Sequence, residues 1–278
     1  MYLARRWKRQ PQGPIAVDWT HPIARGLIVG FVGGQPRDLA TGIVWTSSAS
    51  VSTAPGPRGL AARKTDYAAS GLQGPDRFAP HMPANAVSLF AVTRGTQSEG
   101  FDRNGTIIGW NWAFGGSWSL SLDDAFGAPA PTWYLQTDGT DVATESDGIT
   151  RTESEVFDRD LSIGLSFGSG EARGFFDGVK TRTWTGLGST IPYADSGGVD
   201  GVNIAGGNFT GFVYVALAWA RALADAEMRA LHENPWQLFR PRTLRIYSLP
   251  ASGIPVLSGS TVIDIGQTSA RPRVTITF

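Results

Sequence analysis

The chain has 278 residues, 41% hydrophobic and 17% charged, no cysteine, and 24 basic against 24 acidic side chains. Ten Trp and 14 Phe supply enough apolar area to offset chain entropy, which excludes wholesale disorder. The missing cysteines exclude a disulfide scaffold and thiolate metal sites, and the charge balance gives no general pull towards nucleic acid.

Met1 to Pro14 carries Arg5, Arg6, Lys8 and Arg9 and is followed by no apolar stretch of signal-peptide type. No run of about 18 apolar residues offers a membrane helix. Neither membrane nor nucleic acid is therefore an expected partner. Pro11, Gly13 and Pro14 keep this segment out of a helix or central strand, so residues 1–15 read as a basic, extended arm.

From Gly26 onward the chain is a succession of strand-sized runs. In SWSLSLD, Trp118, Leu120 and Leu122 alternate with Ser117, Ser119 and Ser121. In DLSIGLSFG, Leu161, Ile163, Leu165 and Phe167 alternate with Ser162, Gly164 and Ser166. That period of two predicts half-buried antiparallel strands. Similar runs occur at Val87 to Thr93, Thr106 to Trp112 and Thr132 to Thr137. Asp177-Gly178, between two such runs, predicts a two-residue hairpin turn, because that dipeptide accepts the positive φ angles the turn requires.

Phe212 to Trp219 is apolar on both alternating sets. A strand with two apolar faces must be covered twice, once by the core and once by a lid. The stretch that follows, RALADAEMRALHENPW, predicts one short helix, with Ala224, Met228 and Leu231 as its apolar stripe and Pro235 ending it. Its charges suit the helix dipole, but about three turns are unstable alone, so it must dock on the outer face of the preceding strand. Beyond Phe239, STVIDIG and RVTITF predict two more strands, with Val274, Ile276 and Phe278 alternating to the last residue.

Four sets of residues invite a chemical reading. Gly164 to Gly168 matches the nucleophile-elbow pattern at Ser166, yet the residue sits in an alternating strand rather than a strand-to-helix turn. Glu153 and Glu155 have the spacing of paired carboxylates, but their surroundings suit a solvated loop or edge better than a desolvated acid. The histidines, His21, His81 and His232, show no metal spacing. Trp110, Trp112 and Trp118 cluster between Gly-rich turns and suit either a glycan platform or the core, and burial of large aromatics favours the core.

The order of FFDG (Phe175 to Gly178), IAGG (Ile204 to Gly207), the apolar strand and the helix resembles laminin G-like, concanavalin A-like jelly-roll domains. The ending NPWQLF (Asn234 to Phe239) and the opening VDWTHPIARGLIVGFVGG (Val17 to Gly34) are similar to a subgroup encoded by tailed bacteriophages. The resemblance implies an all-β, two-sheet antiparallel jelly-roll sandwich over residues 16–240, with a C-terminal β-extension at 241–278. It implies a non-enzymatic virion structural protein, made in the host cytoplasm, that forms homo-oligomers with other virion subunits. Arg5, Arg6, Lys8, Arg9, Val274, Ile276 and Phe278 are the expected assembly residues. A host surface glycan is the alternative partner and a depolymerase the third reading. No cofactor is expected. Calcium is the one candidate metal, at Asp123, Asp124, Asp138, Asp141 and Asp147, though their spacing matches no EF-hand loop.

Overall fold

The computed structural model describes residues 10–11, 13–47, 51–65, 71–74, 83–96, 105–110, 118–123, 129–138, 140–146, 149, 151–193 and 201–242. Residues 243–278 form a separate unit outside this description. The predicted strands STVIDIG and RVTITF lie there, as do Val274, Ile276 and Phe278. Arg5, Arg6, Lys8 and Arg9 likewise lie outside the described residues.

Among the described residues seventeen strands carry the fold. They are β1 (Ile15–Val17), β2 (Leu27–Val32), β3 (Thr46–Ser47), β4 (Val51–Gly56), β5 (Gly59–Lys64), β6 (Leu72–Gln73) and β7 (Ala86–Gly95) in the first part of the chain. The middle holds β8 (Gly105–Trp110), β9 (Trp118–Asp123), β10 (Ala130–Thr137), β11 (Thr140–Ser146) and β12 (Leu161–Gly168). The last part holds β13 (Glu171–Phe176), β14 (Val179–Thr185), β15 (Val202–Gly207), β16 (Gly211–Trp219) and β17 (Phe239–Pro241). Among the described residues two α-helices join them, α1 (Glu153–Val156) and α2 (Asp225–Glu233).

The architecture is the expected all-β sandwich. One sheet runs β11-β10-β9-β8-β15-β6-β3, and the other runs β14-β13-β12-β7-β16-β5-β4 with β2 beside the second half of β16. Every pairing between these strands is antiparallel. The alternating sets fall as the sequence predicts. Trp118, Leu120 and Leu122 meet Ile163, Leu165 and Phe167 in the core between the sheets. Trp133 also bridges it, its indole Nε1 donating to the Gly164 carbonyl at 2.6 Å. The Asp177-Gly178 hairpin is present, with φ of 48° and 76° and Phe176 paired to Val179.

β16 needs both of its coverings. A bulge between Val213 and Val215 breaks its alternation, so Val213, Ala216 and Ala218 face the inter-sheet core. Tyr214, Val215, Leu217 and Trp219 join a second core on the other side. The sequence pairs Val213 with Val215 on one face; the bulge separates them by inserting one residue into the pleat.

The second core is built by the two ends of the domain. Ile15 of β1 pairs with Pro241 of β17, and Val17 with Phe239. This pairing crosses both domain boundaries read from the sequence, residues 15/16 and 240/241. Part of the arm is docked as well: Gln10 is buried and its amide donates to the Gly33 carbonyl at 2.7 Å. Trp236, Leu238 and Phe239 pack with Val215, Leu217 and Trp219, while Met228 and Leu231 of α2 extend this layer with Phe90 and Phe175. The lid is thus composite. The helix itself approaches β12 through Met228, whose sulfur lies against Gly164, rather than covering β16 alone.

α2 starts without a capping hydroxyl. Ala224 is its N-cap, and Glu227 supplies the half of a capping box that an alanine permits by accepting from the Ala224 amide at 2.8 Å. Arg221 grips the Glu227 carboxylate with two bonds of 2.6 and 2.9 Å and donates to the Arg25 carbonyl at 2.7 Å. The stripe is Leu223, Met228 and Leu231; Ala224 is exposed.

Met228→Ala removes a side chain that is 1% exposed and leaves a cavity under the lid. It should cost about 2–4 kcal/mol, read as a lower chemical-denaturation midpoint. The Arg221 hydrogen bond holds the Glu227 carboxyl below its ordinary range. Its contribution is therefore full above the unfolded value of about 4.3 and is lost as pH falls through the lower folded value. Glu227→Gln should flatten that acid limb of a melting-temperature profile while lowering stability near neutrality by roughly 1 kcal/mol.

Candidate functional site

The two sheets differ in their outer faces. On the eight-stranded sheet, the outward side chains of β12 lie beneath α2 and the segment leading to it. Ser166 Oγ donates to the Leu223 carbonyl at 2.8 Å, and Arg173 donates to the same oxygen at 3.1 Å. Ser88 Oγ accepts from the Leu223 amide and donates to the Arg221 carbonyl, both at 2.8 Å. Ser166 is wholly buried in mid-strand, so it serves as an anchor for the lid and not as a nucleophile.

A serine–histidine contact does occur elsewhere. Ser162 Oγ lies 2.8 Å from His232 Nδ1, at the end of α2. Asp177 accepts from the Ser162 backbone amide at 3.0 Å and pairs with Arg159, with no bond to the histidine. Ser162 is 3% exposed, so this group ties the end of the helix to the hairpin. Seventy residues separate the two partners, and no local pattern announces them.

Glu153 and Glu155 stand in α1, where the sequence reading expects a loop or edge. Glu155 accepts from the Thr152 amide at 2.7 Å and its hydroxyl at 2.8 Å, the return half of a capping box. These bonds hold its carboxyl below the ordinary range, opposite to what a general acid requires. At the Asp225 carboxyl, burial acts upward, but Lys180 and Arg173 outweigh it and leave the group below its usual value.

The seven-stranded sheet has no such lid among the described residues. Its inward rows are apolar: Val202, Trp110, Trp118 and Leu135 lie in register, as do Leu72, Ile204, Ile108, Leu120 and Trp133. Its outward rows are polar. Gln73, Asn203, Gly109, Ser119 and Tyr134 form one, and Gly206, Thr106, Ser121 and Thr132 the next. Thr106, Ser119, Ser121 and Thr132 are 1–7% exposed, and none of their hydroxyls bonds to a described group. Asn203 Oδ1 is buried without a hydrogen-bond partner. Tyr134 and Gln136 stand half-buried beside these rows. Such a face offers hydroxyl and amide groups that both donate and accept.

Trp110 and Trp118 are taken into the core, at 3% and 0% exposure, so their faces are closed to a sugar. They form a cross-strand pair against Tyr193: Trp110 meets its ring edge-on at 5.8 Å, and Trp118 Nε1 donates to its hydroxyl at 3.3 Å. Burial raises the Tyr193 phenol well above its ordinary pKa, keeping it a neutral donor to the Pro83 carbonyl. Trp112 lies outside the described residues. A cavity of about 230 Å³ opens beside Phe31, Pro36, Trp45, Val51 and Leu72, but its walls are chiefly apolar and match a polyhydroxyl ligand poorly.

Of the acidic residues expected near calcium, Asp123 and Asp141 stand in β9 and β11, and Asp138 accepts from the Thr190 amide at 2.8 Å. Asp124 and Asp147 lie outside the described residues. Among the described residues no three His, Cys, Asp or Glu side chains gather to hold a metal.

No protein-family model matches the chain, and no curated protein does. Solved structures match its fold. The binding domain of Paraclostridial Mosquitocidal Protein 1 is 12% identical with a TM-score of 0.56, over 76% of this chain and 52% of that one. A Trypanosoma rangeli sialidase with 2,3-difluorosialic acid is 12% identical at 0.51, over 77% of this chain and 34% of that one. Domain 4 of an extracellular arabinanase from Geobacillus stearothermophilus, in complex with arabinotriose, is 14% identical at 0.50, over 74% and 98%. This chain thus spans about a third of the sialidase and half of the toxin domain.

At such identities the likeness establishes a β-sandwich fold. It also corrects the expectation of a non-enzymatic protein, because sialidase chains and an arabinanase domain are among the proteins with this fold. The phage affinity read at the two ends of the sequence has no counterpart among these neighbours.

Ser166→Ala should leave the fold intact but remove one anchor of the lid segment. The expected cost is about 1–3 kcal/mol in denaturant unfolding, since the buried Leu223 carbonyl loses one of its donors.

Proposed function

We propose that this protein recognises carbohydrate through the outer face of its seven-stranded sheet. The observation that carries the reading is the pair of outward rows, where Thr106, Ser119, Ser121 and Thr132 keep their hydroxyls unengaged among the described residues. Sugar hydroxyls are themselves donors and acceptors, so a saccharide can satisfy several of these groups at once. Tyr134 adds a half-buried ring at the margin, suited to sugar C–H surfaces. The fold likeness to an arabinanase domain holding arabinotriose supports the same class of ligand.

The setting we propose is a tailed-phage virion, in which the module meets a glycan of the host surface. That part rests on the sequence resemblance at Val17 to Gly34 and Asn234 to Phe239. In such a particle the basic arm and the C-terminal extension would contact neighbouring subunits, with homo-oligomers the expected state.

Arabinotriose and other neutral oligosaccharides, titrated calorimetrically, should bind with dissociation constants of about 10 μM to 1 mM, the range expected of a shallow polar face. Ser119→Ala and Ser121→Ala each remove one hydroxyl from the two rows and should together weaken binding roughly tenfold, about 1.4 kcal/mol, with little change in melting temperature. No binding across a neutral glycan array, or binding indifferent to both substitutions, defeats the proposal. Reducing ends released in the same mixtures would report turnover directly.

A further inference from the structure

The open end of β16 carries a second surface of different chemistry. Arg63 of β5, Phe212 of β16 and Arg94 of β7 lie side by side in register on the outer face of the eight-stranded sheet, with Ser52 of β4 next in the row. The two arginines are two strand spacings apart, about 10 Å. The Arg63 guanidinium rests 5.5 Å above the Phe212 ring, and that ring stacks on Tyr214 at 6.3 Å and 9°. Tyr214 donates to Asp160 Oδ1 at 3.2 Å. Arg58 Nε reaches Asp160 Oδ2 at 3.2 Å, and Arg94 Nη1 approaches Oδ1 at 3.9 Å.

Two guanidinium groups, those of Arg58 and Arg94, therefore share one carboxylate, and a third, that of Arg63, stands beside them. Among the described residues Arg63 has no acidic partner, and it is exposed; the Arg58 and Arg94 side chains are 39% and 31% exposed. The excess of two positive charges is local, since the whole chain carries a formal charge of zero. Both flanking arginines are held before any ligand arrives, Arg63 by the ring beneath it and Arg94 by Asp160. Preorganised forks lose less side-chain entropy when they close on a planar anion, and a carboxylate or sulfate fits such a fork with two parallel bonds. Half-buried Phe212 gives the gap between them an apolar floor.

We infer that the Arg58–Arg63–Phe212–Arg94 surface binds an acidic saccharide, one bearing a carboxylate or sulfate group. The glycan class rests on the function proposed above, whereas the demand for an anion rests on this surface alone. A duplex nucleic acid needs a longer cationic track than three side chains in a chain of zero net charge.

The full-length protein is titrated with oligogalacturonate, with neutral oligogalactan and with inorganic sulfate. Oligogalacturonate should bind more tightly than sulfate, and its affinity should fall as salt rises. Arg63→Ala and Arg94→Ala should each weaken it by about fivefold or more, while Arg229→Ala, on the exposed side of α2, should leave it unchanged. Equal binding of the acidic and neutral oligomers, loss of neither on both substitutions, binding of sulfate alone, or no binding of oligogalacturonate overturns the inference. Circular dichroism of each variant checks that it is folded. If neutral binding at Ser119 and Ser121 fails while oligogalacturonate still responds to Arg63, the proposed sheet face falls and this surface stands. The opposite pattern removes this surface alone.

Discussion

The structure depends on one strand being buried on both sides. Val215, Leu217 and Trp219 are wholly buried on the outer face of the eight-stranded sheet, and Val213, Ala216 and Ala218 are wholly buried on its inner face. Leaving the outer set in water would forfeit roughly 1.5–3 kcal/mol for each large side chain. That cost explains why this all-β fold keeps a helix and pairs β1 with β17. β1, β17, the Pro235–Leu238 turn and α2 form a third layer whose apolar residues meet that face. The indole of Trp219 reinforces the layer by donating to the Ile23 carbonyl at 2.7 Å.

The bulge at Tyr214 divides β16 into two regions. Beyond it the strand lies beneath the third layer and pairs with β2; before it the strand pairs with β5 and the outer face opens. Phe212 and Tyr214 stand at that transition, half-covered and fully covered respectively, with arginines on either side. Burial lifts the Tyr214 phenol well above its ordinary pKa, with the nearby Asp160 charge adding to the effect. The phenol thus remains a donor and holds the Asp160 side chain in place among the guanidinium groups.

The seven-stranded sheet carries no such layer among the described residues, and its outward Thr106, Ser119, Ser121 and Thr132 are nevertheless 1–7% exposed. The inward rows of the seven-stranded sheet complete the core, so its outward rows bear little of the packing load. They can be hydroxyls without loss of stability, provided that water or a ligand satisfies them. Ser162 and Ser166 show the opposite case. Chemically the same as Ser119 and Ser121, and also outward on their strand, they are spent on holding the lid.

The sequence by itself determined the strands, their inward sets, the Asp177-Gly178 hairpin and the existence of a docked helix, because these follow from period, turn stereochemistry and chain length. It also placed Ser119 and Ser121 on an outward face. What covers an outward face depends on residues far away in the chain, and alternation carries no information about them. Hence only the tertiary structure decided that Ser166 is sealed beneath Leu223 and that Ile15 meets Pro241. It alone assembled Arg63, Phe212 and Arg94 from three strands, since sheet register is set by packing across more than a hundred residues and leaves no local mark.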